Sequence, residues 1–243
     1  LDKPGQAPAL VLFVHKDNPL QSLSLAQLDG IFGAARENGW HDNQPVAAQA
    51  RGSELDIRSW DQLGLQGNWI GQPIRIYMPM AESGSGKFFR QRVLADSNRM
   101  PWNAIREFED PVLGPEDSGL RILQALSVDR HGIAVSSRQY ATPAVRPLRL
   151  SMTAHAKPIA AERSSVATGS YPLARTVYAY VNMPPAKHMD SQVEAWLRDV
   201  LAEPATRAMD GTGFIPLSAS RRKEALKMLP FPKADSDSLR ATP

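Results

Sequence analysis

The sequence predicts an α/β fold in which short strands alternate with helices along most of the chain. Three observations carry this prediction: a continuous apolar run at 8–15, a strand that turns through serine and glycine into a helix at 73–95, and further alternation beyond residue 116. This order is typical of a sheet with helices packed on it, and it argues against a sandwich or a helical bundle.

The composition is that of an ordinary globular protein with room for one large domain or two lobes. Of the 243 residues, 42% are hydrophobic and 22% are charged, so the chain can bury a substantial core. The net charge of +3 comes from scattered Lys and Arg, without the basic stripe and interleaved aromatics of a nucleic-acid-binding protein. The chain has no cysteine, which excludes disulfides, thiol catalysis and cysteine-based zinc sites. It starts at Leu1 without a signal-peptide pattern, which we interpret as a processed or trimmed product.

The first elements are a strand, a helix and an aromatic anchor. The apolar run PALVLFVH lacks polar alternation, which predicts a strand buried on both faces. Ser24 is the predicted N-cap of a helix that ends at Gly33. The apolar face of that helix consists of Leu25, Leu28, Ile31 and Phe32. The polar residues 34–53 predict a surface excursion, and Trp60 and Trp69 then anchor a short helix and loop.

The stretch PIRIYMPMAESGSGKFFRQRVLA at 73–95 predicts a strand that turns into a helix. Apolar and polar residues alternate through 74–78, which is the period of a strand. Ser83-Gly84-Ser85-Gly86 then breaks the strand. The first N–H groups of a helix have no partner inside the helix, glycines let a ligand approach them, and serines add hydroxyl donors. The turn therefore predicts an anion site.

The serine- and glycine-rich turn has three other interpretations: a nucleotide P-loop, a nucleophile elbow, and a helix start without a ligand. A nucleotide P-loop requires Gly at the position of Ala81 and Ser or Thr at that of Phe88, so we reject it. A nucleophile elbow requires Gly-x-Ser-x-Gly, and neither Ser83 nor Ser85 has that spacing. No His or acid at suitable spacing supports a hydrolytic serine. A serine-capped helix start without any ligand stays open, because serine N-caps are common.

The second half of the chain continues the alternation of helices and strands. Residues 96–115 are irregular, with a short helix expected around Trp102, Ile105 and Phe108. The next helix opens at 116–118, and its predicted apolar face consists of Leu120, Leu123, Leu126 and Val128. Strands are predicted at 132–135, at 148–152 and at 177–181, with a loop at 153–169. Further predicted helices begin at Asp190, at Pro204 and at Ser218.

Five motifs, in order along the chain, resemble the phosphate-binding protein of bacterial phosphate ABC transporters. They are LVLFVHKDNPLQSLSLAQLDGIFGAAR, the segment from Trp60 to Trp69, ESGSGKFF, YPLARTVYAYVNMPP and GFIPLS. The resemblance runs from about Ala9 to Leu229. It implies the type II periplasmic-binding-protein fold, in which two α/β lobes close on a ligand in the cleft between them. It also implies ligand-binding roles for Ser83, Gly84, Ser85 and Ser118, with no catalytic residue, metal or cofactor.

Two departures from the family pattern bear on function. Family members carry a substantial segment before the strand that begins here at Ala9, so the resemblance implies a complete lobe two and a partial lobe one. The family also places an arginine four residues before the serine of its Ser-Gly-Thr motif, and Pro79 occupies that position. Loss of a charged donor weakens oxyanion capture, and Glu82 adds repulsion. Arg75 and Lys87 are the nearby cations, and Lys87 is expected on a solvated helix face.

The resemblance also implies a division of the chain. Residues 1–15 and 171–229 are expected to form the partial lobe one and the crossing strands, 16–170 lobe two, and 230–243 a disordered tail. The exposed sheet edge that a partial lobe leaves favours completion by a second chain or subunit.

The function expected from the resemblance is that of a non-enzymatic, periplasmic or secreted solute-binding protein. It would bind phosphate or a related oxyanion and deliver it to an ABC permease, with no nucleic-acid partner. The alternative is a diverged member that serves structure, adhesion or signalling, and Pro79 favours this alternative. The five histidines are isolated and lack the i, i+4 spacing of a helical metal pair, so we expect none to be a ligand.

Overall fold

The computed structural model describes residues 9–109, 117–176, 180–182, 189–202 and 215–229. In chain order the strands are β1 (Leu10–His15), β2 (Ser22–Ser24), β3 (Gly39–His41), β4 (Gln44–Val46), β5 (Arg75–Pro79), β6 (Ile105–Phe108), β7 (Gly132–Ser137), β8 (Val145–Pro147) and β9 (Arg149–Ser151). The helices are α1 (Leu25–Phe32), α2 (Gly84–Val93), α3 (Ser118–Ser127), α4 (Arg163–Ala167), α5 (Ser191–Leu201) and α6 (Ala219–Met228).

A five-stranded mixed sheet in the order β6-β5-β7-β1-β8 forms the centre of the fold. Strand β5 runs parallel to both β6 and β7, whereas β1 is antiparallel to β7 and β8. Leu10 pairs with Ser137, so the first residue of β1 lies where β7 ends. The carboxyl ends of β5, β6 and β7 therefore meet at one edge of the sheet, which we call the carboxyl edge.

The predicted core elements are confirmed. All six residues of β1 are buried, as expected for an inner strand, which lies here between β7 and β8. Ser24 caps α1 with a reciprocal capping box to Gln27, which satisfies two N–H groups at the helix start. Helices α1 and α2 meet through an edge-to-face contact of Phe32 with Phe89, with ring centroids 4.8 Å apart.

The structure corrects four of the local predictions. Ile105–Phe108 is a strand, since its backbone pairs with the free side of β5 and this long-range ladder overrides the helical spacing of its apolar residues. Val128 is 86% exposed because α3 ends one residue earlier. The surface excursion at 34–53 contains the β3–β4 hairpin, and the loop at 153–169 contains α4.

The last described helices have their predicted caps. Asp190 caps α5 and Ser218 caps α6. Helix α5 buries Leu197 but leaves Trp196 58% exposed. None of the described helices combines the length and apolar character needed to cross a bilayer.

Several predictions concern the division of the chain. The predicted strand at 177–181, the helix at 204–211 and the tail at 230–243 lie wholly or mostly outside the described residues. Residues 10–15, assigned to lobe one and the crossing strands, lie inside the sheet built from 16–170. The division into two lobes stays a prediction.

Candidate functional site

The turn after β5 folds as the sequence predicts, into a capped helix start. Ser83 is the N-cap of α2, and its Oγ accepts from the N–H of Gly86 at 3.1 Å and donates to the carbonyl of Met80 at 2.7 Å. Gly84 and Ser85 occupy the first two positions of the helix. Their N–H groups have no acceptor within the helix, and the positive end of the helix dipole lies at the same place.

The two glycines of the turn have different roles. A Cβ on Gly86 would lie 2.1 Å from the carbonyl oxygen of Met80, so the tight turn needs glycine there. A Cβ on Gly84 would meet no described atom within 4 Å. The space over the first helical residue is therefore open to a ligand, whereas the space at Gly86 is filled by the protein.

Two carboxylates lie beside the turn. Glu107 accepts from the N–H of Ala81 at 2.6 Å, which ties the turn to β6. Glu82 approaches Arg90 to 3.3 Å, and this ion pair offsets part of the repulsion that Glu82 would exert on an anion. The turn is thus held from both sides before any ligand binds.

Ser118 is the first residue of α3, and this helix also starts at the carboxyl edge. Asp117 caps the helix, accepting from the N–H of Gly119 at 2.7 Å and from the Tyr140 hydroxyl at 2.5 Å. Ser118 itself is 6% exposed. The sheet topology therefore brings the helix starts at Ser83–Ser85 and at Ser118 to the same edge, because α2 follows β5 and α3 precedes β7.

Arg75 does not replace the missing family arginine. It begins β5, at the end of the strand away from the turn, and binds Asp129 with two hydrogen bonds. Asp129 also accepts from the Tyr77 hydroxyl at 2.8 Å. Burial acts to raise the pKa of Asp129, but bonds from Arg75, Tyr77 and the His131 N–H outweigh it, and the pKa is lowered. Arg75 is thereby committed to a structural ion pair.

Arg175 is the cation at the turn, and sequence reasoning missed it. Its Nη1 donates to the Oγ of Ser85 at 3.3 Å. The preceding residue, Ala174, bridges to Ala9 at the start of β1, which places this segment at the carboxyl edge. Arg175 makes no ion pair with any described carboxylate. The signal in the sequence was an arginine inside the YPLAR motif, in the segment expected to cross between lobes.

The histidines and carboxylates of the described residues do not form a metal site. Across the described ranges, no group of three or more His, Asp or Glu side chains is placed to hold a metal ion. His15 accepts from the N–H of Asp17 at 3.2 Å, and the His131 ring packs edge-to-face against Trp69 at 5.3 Å. Both histidines have structural partners.

A mixed sheet with two helix starts at its carboxyl edge is the architecture of an α/β ligand-binding domain. The chain belongs to the PBP superfamily domain family, whose model matches residues 6–203. The predicted fold class, α/β of the type II periplasmic-binding-protein kind, is thereby confirmed.

Two curated relatives extend this assignment. The phosphate-binding protein PstS of Pseudomonas aeruginosa is 29% identical over 226 residues, which cover 93% of this chain and 63% of the relative. Protein SphX of Synechococcus elongatus is 25% identical over 224 residues, which cover 90% of this chain and 56% of the relative. The chain thus spans less than two thirds of the length of these relatives. The predicted resemblance to phosphate-binding proteins is confirmed.

Solved structures with low identity show the same fold. An ABC-type phosphate transport receptor from Vibrio cholerae superposes with a TM-score of 0.56 at 16% identity, covering 85% of this chain and 68% of the receptor. PstS from Borrelia burgdorferi superposes with a TM-score of 0.56 at 12% identity, covering 87% of this chain and 70% of that protein.

Proposed function

We propose that this chain is a solute-binding protein that binds phosphate or a related tetrahedral oxyanion at the start of α2. The donors to the anion are the backbone N–H groups of Gly84 and Ser85 and the hydroxyl of Ser85. Ser118 joins them from the start of α3. Ser83, whose hydroxyl donates to the Met80 carbonyl, holds the turn in shape. Arg175 supplies the positive charge that Pro79 cannot.

The observation that carries this proposal is the contact of Arg175 with Ser85. A guanidinium placed 3.3 Å from the second residue of α2 sits against the positive end of the helix dipole. Two positive groups so close repel each other unless an anion lies between them. Arginine pairs bidentately with phosphate and carboxylate groups, and the open space over Gly84 admits such a ligand.

The names of the relatives support the transport context. A phosphate-binding protein and a phosphate transport receptor are similar to this chain over most of its length. We therefore propose delivery of the bound anion to an ABC permease, with the protein periplasmic or secreted and without a catalytic step.

Calorimetric titration of inorganic phosphate into the chain tests the proposal. Because Pro79 removes the family's charged anchor, we expect binding weaker than about 1 µM. Sulfate, nitrate and chloride are the competing anions, and a tetrahedral oxyanion should bind better than nitrate or chloride. Phosphate binding that is unchanged in Arg175→Gln would contradict the assigned site.

The second candidate is a diverged member with a structural, adhesive or signalling role. The observation that favours it is Pro79, which is buried at the end of β5 and offers neither charge nor N–H. If millimolar phosphate and sulfate produce no heat and no thermal stabilisation, the diverged role is favoured over transport.

The exposed apolar side chains of α5 suggest how lobe one is completed. Trp196 is 58% exposed and Val193 is 36% exposed, and burial of such surface is worth about 25 cal/mol per Å². We propose that another segment or a second chain covers this face. Sedimentation velocity across a dilution series, with Trp196→Gln as the variant, tests this. A chain that stays monomeric at every concentration and shows unchanged Trp196 exposure with its permease present would overturn it.

A further inference from the structure

A second group of arginines surrounds a cavity beside the edge strand β8. The cavity has a volume of about 260 Å³, and Arg138, Arg146 and Arg149 all line it. None of its lining residues belongs to the Ser83–Ser85 turn, to Ser118 or to Arg175. The cavity is therefore a feature separate from the oxyanion site proposed above.

Two of these guanidinium groups are held by neutral oxygens of the protein. Nη2 of Arg146 donates to the carbonyls of Asn18 and Leu20, and Nη1 lies 3.4 Å from the side-chain oxygen of Gln21. Nη1 of Arg138 donates to the carbonyl of Ala161 at 2.6 Å. These neutral acceptors fix the geometry of both guanidinium groups but do not neutralise their positive charges.

The positive charges of the cavity are not balanced by ion pairs within the part of the chain that the structure describes. Among the described residues, no carboxylate forms an ion pair with Arg138, Arg146 or Arg149. Glu162 is the one carboxylate among the residues that line the cavity. Three guanidinium groups against one carboxylate give a net charge of +2. Burial lowers the pKa of Arg146, and its hydrogen-bond acceptors are neutral oxygens and not carboxylates.

A buried amide near Arg146 also lacks an acceptor. Asn18, whose carbonyl holds Arg146, is 1% exposed, and its Nδ2 has no acceptor among the described residues. Buried donors without acceptors cost free energy. Asn18 itself does not line the cavity, whereas the three guanidinium groups do, and an incoming group with acceptor oxygens and negative charge matches them.

We propose that this cavity is a second anion site, which takes a small polyanion with two or more separated acidic groups, of the tricarboxylate or diphosphate kind. The size argues for more than one tetrahedral group, because at about 30 Å³ per water the cavity holds on the order of eight waters. Because three arginines line the one cavity, a ligand with more than one acidic group can pair with more of them than a single anion can. Arginine recognises both carboxylate and phosphate by paired hydrogen bonds.

Titration of pyrophosphate and of citrate into the full chain tests the proposal, in the presence of inorganic phosphate sufficient to saturate the turn. The variants are Arg149→Gln and the double variant Arg138→Gln/Arg149→Gln. The exposed guanidinium of Arg149 makes no hydrogen bond or ion pair with a described residue, and its backbone N–H, which donates to the Gln21 carbonyl, is kept in the variant, so we expect the substitution to leave the fold intact. Arg99→Gln, an exposed arginine outside the cavity, is the matched control. The circular dichroism spectrum verifies folding of each variant.

We expect at least one of the two polyanions to bind. Arg149→Gln should weaken that binding about three- to tenfold and the double variant more, since a charge-assisted hydrogen bond at a partly exposed site is worth about one factor of ten. Binding should fall as salt rises. Binding of citrate alone would identify the ligand as a polycarboxylate, and binding of pyrophosphate alone would identify it as a polyphosphate. Equal affinities in wild type, double variant and Arg99→Gln would overturn the proposal, as would failure of both polyanions to bind.

Discussion

Arg175 donates from its guanidinium to the Ser85 hydroxyl at 3.3 Å, although the two residues are 90 positions apart in the chain. Ser85 lies in the first turn of α2, and Arg175 lies just beyond the bridge that joins Ala174 to Ala9. A positive side chain from the C-terminal part thus reaches the helix start that follows β5. This contact gives the turn a charge that its own sequence lacks.

Substitution of Arg175 by Gln should weaken phosphate binding about tenfold. The variant keeps a side-chain donor but loses the charge, and charge-assisted hydrogen bonds exceed neutral ones by roughly 1–1.5 kcal/mol. Calorimetry on wild type and Arg175→Gln provides the measurement, with Arg130→Gln as an arginine control at a distant ion pair. An equal loss in both variants would mean that net charge, and not the contact with Ser85, determines affinity.

Arg75→Gln should lower stability and leave phosphate affinity unchanged. Arg75 binds Asp129 away from the turn. Its removal leaves a carboxylate that is only 8% exposed without its guanidinium partner, which should cost about 1–3 kcal/mol. The pKa of Asp129 is lowered in the folded protein. The ionised carboxylate therefore adds to the free energy of unfolding at pH values above the unfolded pKa near 3.9, and this contribution is lost as the pH falls below 3.9. Urea unfolding at pH 7 and pH 3 should show a smaller difference between wild type and variant at pH 3.

Tyr171→Phe should change how stability depends on alkaline pH. The buried hydroxyl donates to the carbonyl of Leu10 at 3.1 Å, and burial raises the pKa of Tyr171. Because the pKa of Tyr171 is higher in the folded protein, its neutral hydroxyl stabilises the fold at pH values below the unfolded pKa near 10. This contribution is lost as the pH rises above 10, by about 1.4 kcal/mol per pH unit.

The phenylalanine variant should be about 1 kcal/mol less stable than wild type at pH 7. Its stability should fall less steeply above pH 10. Denaturant unfolding from pH 8 to 11 measures this slope, with Tyr180→Phe, at a side chain 91% exposed, as the control. Parallel slopes for wild type and Tyr171→Phe would contradict the account of Tyr171.

Gly86→Ala and Gly84→Ala form a matched pair at the turn. Alanine at 86 would bring Cβ to 2.1 Å from the Met80 carbonyl oxygen, so we expect a loss of about 1–3 kcal/mol in stability and of phosphate binding. Alanine at 84 meets no described atom within 4 Å, and stability should hold or rise by up to about 1 kcal/mol. Thermal melts in the presence and absence of phosphate distinguish the two. Equal stability of both variants would show that the turn relaxes around Gly86.

Local sequence was sufficient where a few neighbouring residues decide the structure. The cap of α1 by Ser24 and the cap of α2 by Ser83 involve partners three residues away, so composition and spacing predict them. The burial of β1 follows from an unbroken apolar run. By contrast, Ile105–Phe108 has helical spacing of apolar residues and became a strand because β5 offered it a pairing edge.

The sequence by itself therefore determined the alternation of strands and helices, the caps, and the open helix start at Ser83–Ser85, since each depends on interactions within one or two turns of chain. The tertiary structure decided which charges reach that start. Strand order turned Arg75 toward Asp129, and the bridge of Ala174 to Ala9 brought Arg175 to Ser85. Contacts between residues this far apart in sequence arise from the way the sheet pairs, and no local pattern encodes them.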